Sequence, residues 1–225
     1  MSSLVGDNDI IEFVEKQVFP RYENFYSHGV EHVRRVTELA VEMADYYNLN
    51  TALAYVAGAF HDSGLIIDRE NHEKESGTIV RKELKLKDFF TPEEIEIIAE
   101  AIEDHRGSRK ERPRNKYGEI ISDADRDFSV ETLAKRQLAT SLKNYPELET
   151  FEEHFERCYV YISRRIRENG HFNLWTNYPK LIESRKDFEK TFMDKKLTAS
   201  IYKTEWDRIS SDDTMEKIKN FYLDW

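Results

Sequence analysis

Apolar residues recur at helical spacing along almost the whole chain. Residues roughly 8–18 carry Ile11, Val14 and Val18, and residues 29–47 carry Val33, Val36, Ala40, Met43 and Tyr47. The same pattern marks 51–62 through Leu53, Val56, Ala57 and Phe60, and 70–87 through Ile79, Val80 and Leu84. Thr91-Pro92-Glu93-Glu94 is a strong helix start: Thr caps, Pro takes the first helical position, and Glu94 closes a capping box. Its stripe is Ile95, Ile98 and Ile102. A helix is predicted over 122–143 (Phe128, Leu133, Leu138, Leu142), broken by Pro146, and another over 148–168 (Phe151, Phe155, Tyr159, Ile162, Ile166), stopped by Gly170. Residues 180–225 read as two or three charged amphipathic helices with Phe188, Phe192, Ile201, Trp206, Ile209, Ile218 and Phe221. No run alternates in the manner of a strand, so the fold class expected is all-α. The longest irregular stretch is 106–120. The predicted organisation is a helical core over 1–145 and a C-terminal helical extension over 146–225, packed on the core.

Composition narrows the function. The chain has 225 residues, enough for one domain with an appended piece. It is 39% hydrophobic, 35% charged and 12% aromatic, which is polar but able to fill a core. The net charge of −10 argues against a general nucleic-acid coat, which needs a basic face. A single cysteine, Cys158, permits no internal disulfide and fits a reducing, cytoplasmic compartment; its helical setting reads as a small buried hydrophobe. No signal peptide and no membrane-length apolar run is visible, so no membrane partner is expected. The eight glycines form no dinucleotide fingerprint or phosphate loop, and no nucleophile elbow occurs.

The informative residues are polar ones on apolar stripes. His32 shares a face with Val36 and Leu39; His61, followed by Asp62, extends the face of Leu53 and Ala57. His105 continues the stripe of Ile98 and Ile102, and Asp125 follows Ile121 near the predicted start of its helix. Taken singly, each has a structural explanation: a satisfied core histidine, or a helix cap. Together they are harder to explain so, because buried carboxylates must be paired or coordinated. Two carboxylates and two or more imidazoles on converging helices make a mixed nitrogen and oxygen site for a divalent metal. Imidazoles favour Mn, Fe, Co, Ni or Zn over Mg.

The segments His-Val-Arg-Arg-Val at 32–36, Ala-Gly-Ala-Phe-His-Asp-Ser-Gly at 57–64 and Asp-Ala-Asp-Arg-Asp at 123–127 resemble the HD-domain superfamily of metal-dependent phosphohydrolases. The likeness spans about residues 26–130, and small uncharacterised HD proteins look similar overall. It implies an HD-type helical bundle with additional C-terminal helices. It also implies metal ligands His32, His61, Asp62 and Asp125. His72 and His105 correspond to histidines that hold a second ion in many HD proteins; the rival reading makes them hydrogen-bond donors to substrate phosphate. Two positions depart from the pattern: Ser63, where an apolar residue is common, and Asp127, where Leu is common.

The reaction so implied is hydrolysis of a phosphate ester of a small metabolite, most plausibly a nucleotide, by water that one or two divalent ions activate (Mn, Fe, Co, Ni, Zn or Mg). Asp62, with two oxygens, is the expected bridge, and His105 and Glu73 are candidates for acid–base work. The basic run 106–116 holds Arg106, Arg109, Lys110, Arg112, Arg114 and Lys116 against Glu111. Arg106 and Arg109 are candidate phosphate binders; Arg112, Arg114 and Lys116 read better as a solvated loop. Arg35 and Arg126 either bind phosphate or lock carboxylates structurally. His28 is a helix-entry residue or supports the site from behind. His154 and His171 are given no role, and Trp175, Trp206 and Trp225 are read as packing ahead of a lid or homodimer surface. Two other function classes stay open: a di-iron oxygenase, and a non-catalytic nucleotide-binding regulatory module.

Overall fold

The computed structural model describes residues 8–23, 29–107, 109–167 and 172–210, which form ten α-helices and no strand. The all-α expectation is met. His28, Gly170, His171, Ile218, Phe221 and Trp225 lie outside the described residues. The chain divides into two compact units, Met1–Arg126 and Asp127–Trp225.

In the first unit, helix α1 (Asn8–Phe13) runs on into a π-helical turn (Val14–Val18) and a 3-10 turn (Phe19–Tyr22). Then come α2 (Val30–Tyr46), α3 (Thr51–Phe60), α4 (His72–Lys82), α5 (Pro92–Glu103) and α6 (Lys116–Asp125). Helix α3 has no charged residue and is buried from Ala52 to Phe60. A helix that is apolar all round must sit inside, and α3 packs against α2, α5 and α6. Its start is capped by the Asn50 side chain, which accepts from the Ala52 amide. Gly58 lets α3 touch α2: a Cβ there would stand 2.7 Å from Thr37 Cα. The capping box at Thr91 and Glu94 is present as predicted.

In the second unit, α7 (Val130–Asn144), α8 (Phe151–Arg167), α9 (Pro179–Met193) and α10 (Lys195–Ile209) pack around Leu138, Phe155, Cys158, Ile162, Phe188, Phe192 and Tyr202. Cys158 is fully buried. His154 is held inside this unit, with Ser141 Oγ 2.7 Å from Nδ1 and Leu148 O 3.0 Å from Nε2. Trp206 packs edge-on to Phe151.

Three local expectations change. The helix predicted over 122–143 is two helices, because Arg126 turns extended and Ser129 caps a new start by accepting from the Thr132 amide. The stretch 106–120 is irregular only as far as Asn115, whose side chain caps α6 by accepting from the Gly118 amide. Asp125 therefore ends a helix instead of starting one. The helix predicted over 70–87 stops at Lys82, and a 3-10 turn (Leu84–Asp88) follows an extended Glu83. Helix α7, grouped with the core in the sequence reading, packs on α8, α9 and α10. No helix among the described residues is long and apolar enough to cross a membrane.

Candidate metal centre

Helix ends deliver every side chain of interest in the first unit. His32 lies in the first turn of α2, and His61 and Asp62 follow the last residue of α3. His72 opens α4, His105 lies just beyond α5, and Asp125 is the last residue of α6. All but His72 and Asp125 are buried, and those two are partly exposed. The structure brings all six together.

Asp62 is at the middle. Its Oδ2 lies 3.2 Å from His61 Nε2 and 3.5 Å from His32 Nε2. Its Oδ1 lies 3.5 Å from His72 Nε2 and 3.7 Å from His105 Nε2. Asp125 Oδ1 closes the first side, 3.2 Å from His32 Nε2 and 3.9 Å from His61 Nε2. The two imidazole nitrogens of His32 and His61 are themselves 3.2 Å apart. Two groups able to hold an ion result, His32–His61–Asp62 and Asp62–His72–His105, and Asp62 belongs to both.

The backbone sets the tautomers. Carbonyl oxygens stand 2.7 Å from His61 Nδ1 (Gly58), 3.0 Å from His72 Nδ1 (Arg69) and 2.6 Å from His105 Nδ1 (Ile102). A carbonyl can only accept, so each Nδ1 carries its proton outward, and a ring in its neutral form presents the Nε2 lone pair inward. Lone pairs aimed at one another are repulsive unless protons or cations stand between them. Asp62 Oδ2 is buried and accepts no hydrogen bond among the described residues. A buried carboxylate oxygen without a donor is costly. Inward lone pairs and an orphaned oxygen are what a divalent cation with nitrogen and oxygen ligands would satisfy.

The electrostatics agree. Burial disfavours the charged forms, but the cluster outweighs it. His61 is held at about 9 by Asp62 and Asp125 against desolvation. Asp62 stays well below the usual carboxylate range, because His61, His105 and His32 offset its burial. Asp125 is likewise far below its ordinary value through His32 and His61. His72 moves the other way, lowered by burial and by neighbouring His105.

Around the centre, Glu73 is largely buried, with Oε2 3.6 Å from His72 Nδ1. Arg106 donates to the Glu70 carbonyl and lies 3.4 Å from both Glu73 oxygens, with its side chain 44% exposed. Arg109 pairs with Asp104 (3.0 Å) and Glu111. Arg112 and Lys116 pair with Glu119, and Arg114 with Asp104, Glu103 and Glu100. The basic run is thus mostly neutralised by its own acids. Asp104, 1% exposed, anchors it and had no place in the sequence reading; a buried acid directly before His105 was the available signal. Arg35 donates to the Ala124 and Asp125 backbone carbonyls, and Arg126 Nε lies 3.8 Å from Asp123 Oδ1.

Residues 29–127 match the family model described as HD domain. An uncharacterised protein of Clostridium beijerinckii is 26% identical over 129 residues, covering 55% of this chain and 79% of that protein. A crystal structure from an uncultured Thermotogales bacterium, described as a "predicted HD superfamily hydrolase", superposes with a TM-score of 0.51 at 21% identity. That superposition covers 84% of this chain and 90% of the other.

Proposed function

Through residues 29–127 the chain belongs to the HD-domain superfamily, and from that premise we propose that it is a metal-dependent phosphohydrolase acting on a small phosphorylated metabolite, a nucleotide being the first choice. The observation that carries the reading is Asp62, whose two oxygens face two separate pairs of imidazoles. His32, His61, Asp62 and Asp125 would hold one ion, and His72 and His105 a second, with Asp62 shared. When bound, such ions act as Lewis acids, neutralising phosphoryl oxygens and lowering the pKa of water toward ~7.

The chain's own side chains do the rest. His61, His72 and His105 are locked in orientation by the Gly58, Arg69 and Ile102 carbonyls, so the site is formed in advance. Glu73 stands at the edge of the second group and is our choice to accept or return a proton there; His105 takes that task if it is not a ligand. Arg106, half-exposed and paired with Glu73, would bind a phosphate oxygen. Arg109 would do so only after leaving Asp104. The overall negative charge disfavours a polyanionic substrate. The lone, buried Cys158 supports a reducing, cytoplasmic setting.

The test is a phosphate-release screen over nucleotides and simple phosphate esters with Mn, Co, Ni and Mg. Release with the wild type and loss of at least about 100-fold with Asp62→Asn and Asp125→Asn is expected. Turnover that survives both substitutions would refute the assignment. The set of four imidazoles and two carboxylates also suits two irons. Two irons per chain, oxygen uptake and no phosphate release would favour an oxygenase instead.

A further inference from the structure

Arg35 was open as a phosphate ligand, yet its guanidinium is turned toward the protein backbone. Nη1 donates to the Ala124 carbonyl at 3.0 Å and approaches the Arg126 carbonyl at 3.4 Å, while Nη2 donates to the Asp125 carbonyl at 3.1 Å. Those three consecutive oxygens are the C-terminal end of α6, where helical carbonyls have no intrahelical partner. A guanidinium offers five donors in a fixed plane and cannot lose its proton, so it can gather several carbonyls at once. Its positive charge also complements the negative end of the helix dipole. The same Nη2 passes 3.5 Å from His32 Nδ1. That contact stands at the long limit of a hydrogen bond, whereas the Ala124 and Asp125 carbonyls lie at 3.0 and 3.1 Å and are what hold the guanidinium there.

Resting on the metal-centre reading above, we infer that Arg35 is a positioning residue: it clamps the last turn of α6 and thereby fixes Asp125 against His32, and it does not bind substrate. Arg35 and His32 lie one turn apart on α2, whereas Asp125 is some ninety residues later in sequence. Asp125 ends a helix that Arg126 leaves in extended conformation, so little local structure holds its backbone. The clamp ties this last ligand to the helix that carries the first.

A positioning role and a substrate-binding role make opposite statements about metal affinity. Removing a positive charge beside a cation site favours the cation electrostatically. A fall in metal affinity on removing Arg35 therefore reports lost geometry, not lost charge. The experiment titrates Co(II) into the purified full-length chain and follows its visible ligand-field absorption. Inorganic phosphate binding is then measured on the cobalt-loaded protein. For Arg35→Gln we expect an unchanged helical circular dichroism spectrum, Co(II) affinity reduced about 10- to 100-fold, and an altered absorption band. Arg35→Lys, which keeps the charge and reaches one carbonyl, should fall between Arg35→Gln and the wild type. Unchanged Co(II) affinity and band in Arg35→Gln, with weakened phosphate binding, would overturn the inference and return Arg35 to the substrate. If Arg35→Gln does not fold, Arg35→Lys decides alone: weakened cobalt binding supports the clamp, and wild-type cobalt binding overturns it. A wild type that takes up no Co(II) would fail the metal-centre reading itself, and the inference with it.

Discussion

A carboxylate as buried as Asp62 stays ionised only where protons or cations face both of its oxygens, and here imidazoles surround it on two sides. The two sides make separable demands. His72→Gln and His105→Gln should remove the second ion while leaving the first, halving the metal content of a two-ion protein. Elemental analysis after gel filtration would show it. Equal loss from both positions would mean one undivided site. His61 adds a pH dependence to the metal-free chain. Desolvation works against its charge, but Asp62 and Asp125 raise it to about 9 from an ordinary 6.5. A raised folded-state value stabilises fully below about 6.5 and loses that stabilisation as pH rises through about 9. The melting temperature of chelator-treated protein should therefore fall across this window. Metal-loaded protein should not show the fall, because a ligand histidine is held neutral. At this scale the site was partly legible in sequence. His32, His61, His105 and Asp125 stood out because they fall on apolar stripes, with Asp62 directly after His61, and only the likeness to HD proteins brought in His72. The Gly58, Arg69 and Ile102 carbonyls that orient the rings are backbone atoms three residues upstream, and no side-chain pattern announces them.

Helix ends, more than helix bodies, decide this site. Gly64 sits in the turn after Asp62, where a Cβ would meet the His72 carbonyl at 2.3 Å and the Ser76 amide at 2.6 Å. The Gly64 amide donates to Ser76 Oγ at 2.8 Å, which pins the same turn to α4. Gly64→Ala must push the start of α4 outward. It should cost about 1–3 kcal/mol of stability and weaken the second ion more than the first. Denaturation and metal titration together check this. Asn115→Ala removes the α6 cap and should cost about 1 kcal/mol in a denaturant titration, as other cap removals do. The same cap explains one failure of sequence reading. Asn115 follows a dense basic run, which reads as loop, and Lys116-Tyr117-Gly118 has no strong apolar period, so α6 was entered too late. Ser129 was missed for a related reason: Phe128, seven residues after Ile121, continues the apolar stripe of α6 past the point where that helix ends. By contrast Thr91 and Glu94 announced α5 correctly, because both partners of a reciprocal cap are visible in sequence.

Across the whole molecule, a net −10 chain places its ionised groups in two different ways. The basic run 106–116 is largely spent on Asp104, Glu103 and Glu119, so its local excess of positive charge is not a free surface. The cluster around Asp62 gathers imidazoles and carboxylates, and among the described residues no arginine or lysine pairs with Asp62. The all-α class was legible throughout, since helical periodicity extends along both units. The expected boundary at 145/146 rested on Pro146, while the extended residue at Arg126 carries no comparable signal in the sequence. Asp62 and the five side chains around it would hold transition-metal ions, and elemental analysis of purified, gel-filtered protein after exposure to Mn, Fe or Co, wild type beside Asp62→Asn, decides whether they do. One to two equivalents of metal are expected in the wild type and almost none in the variant. A wild type that stays metal-free under all three, or an Asp62→Asn variant that binds as much as the wild type, would mean that they do not.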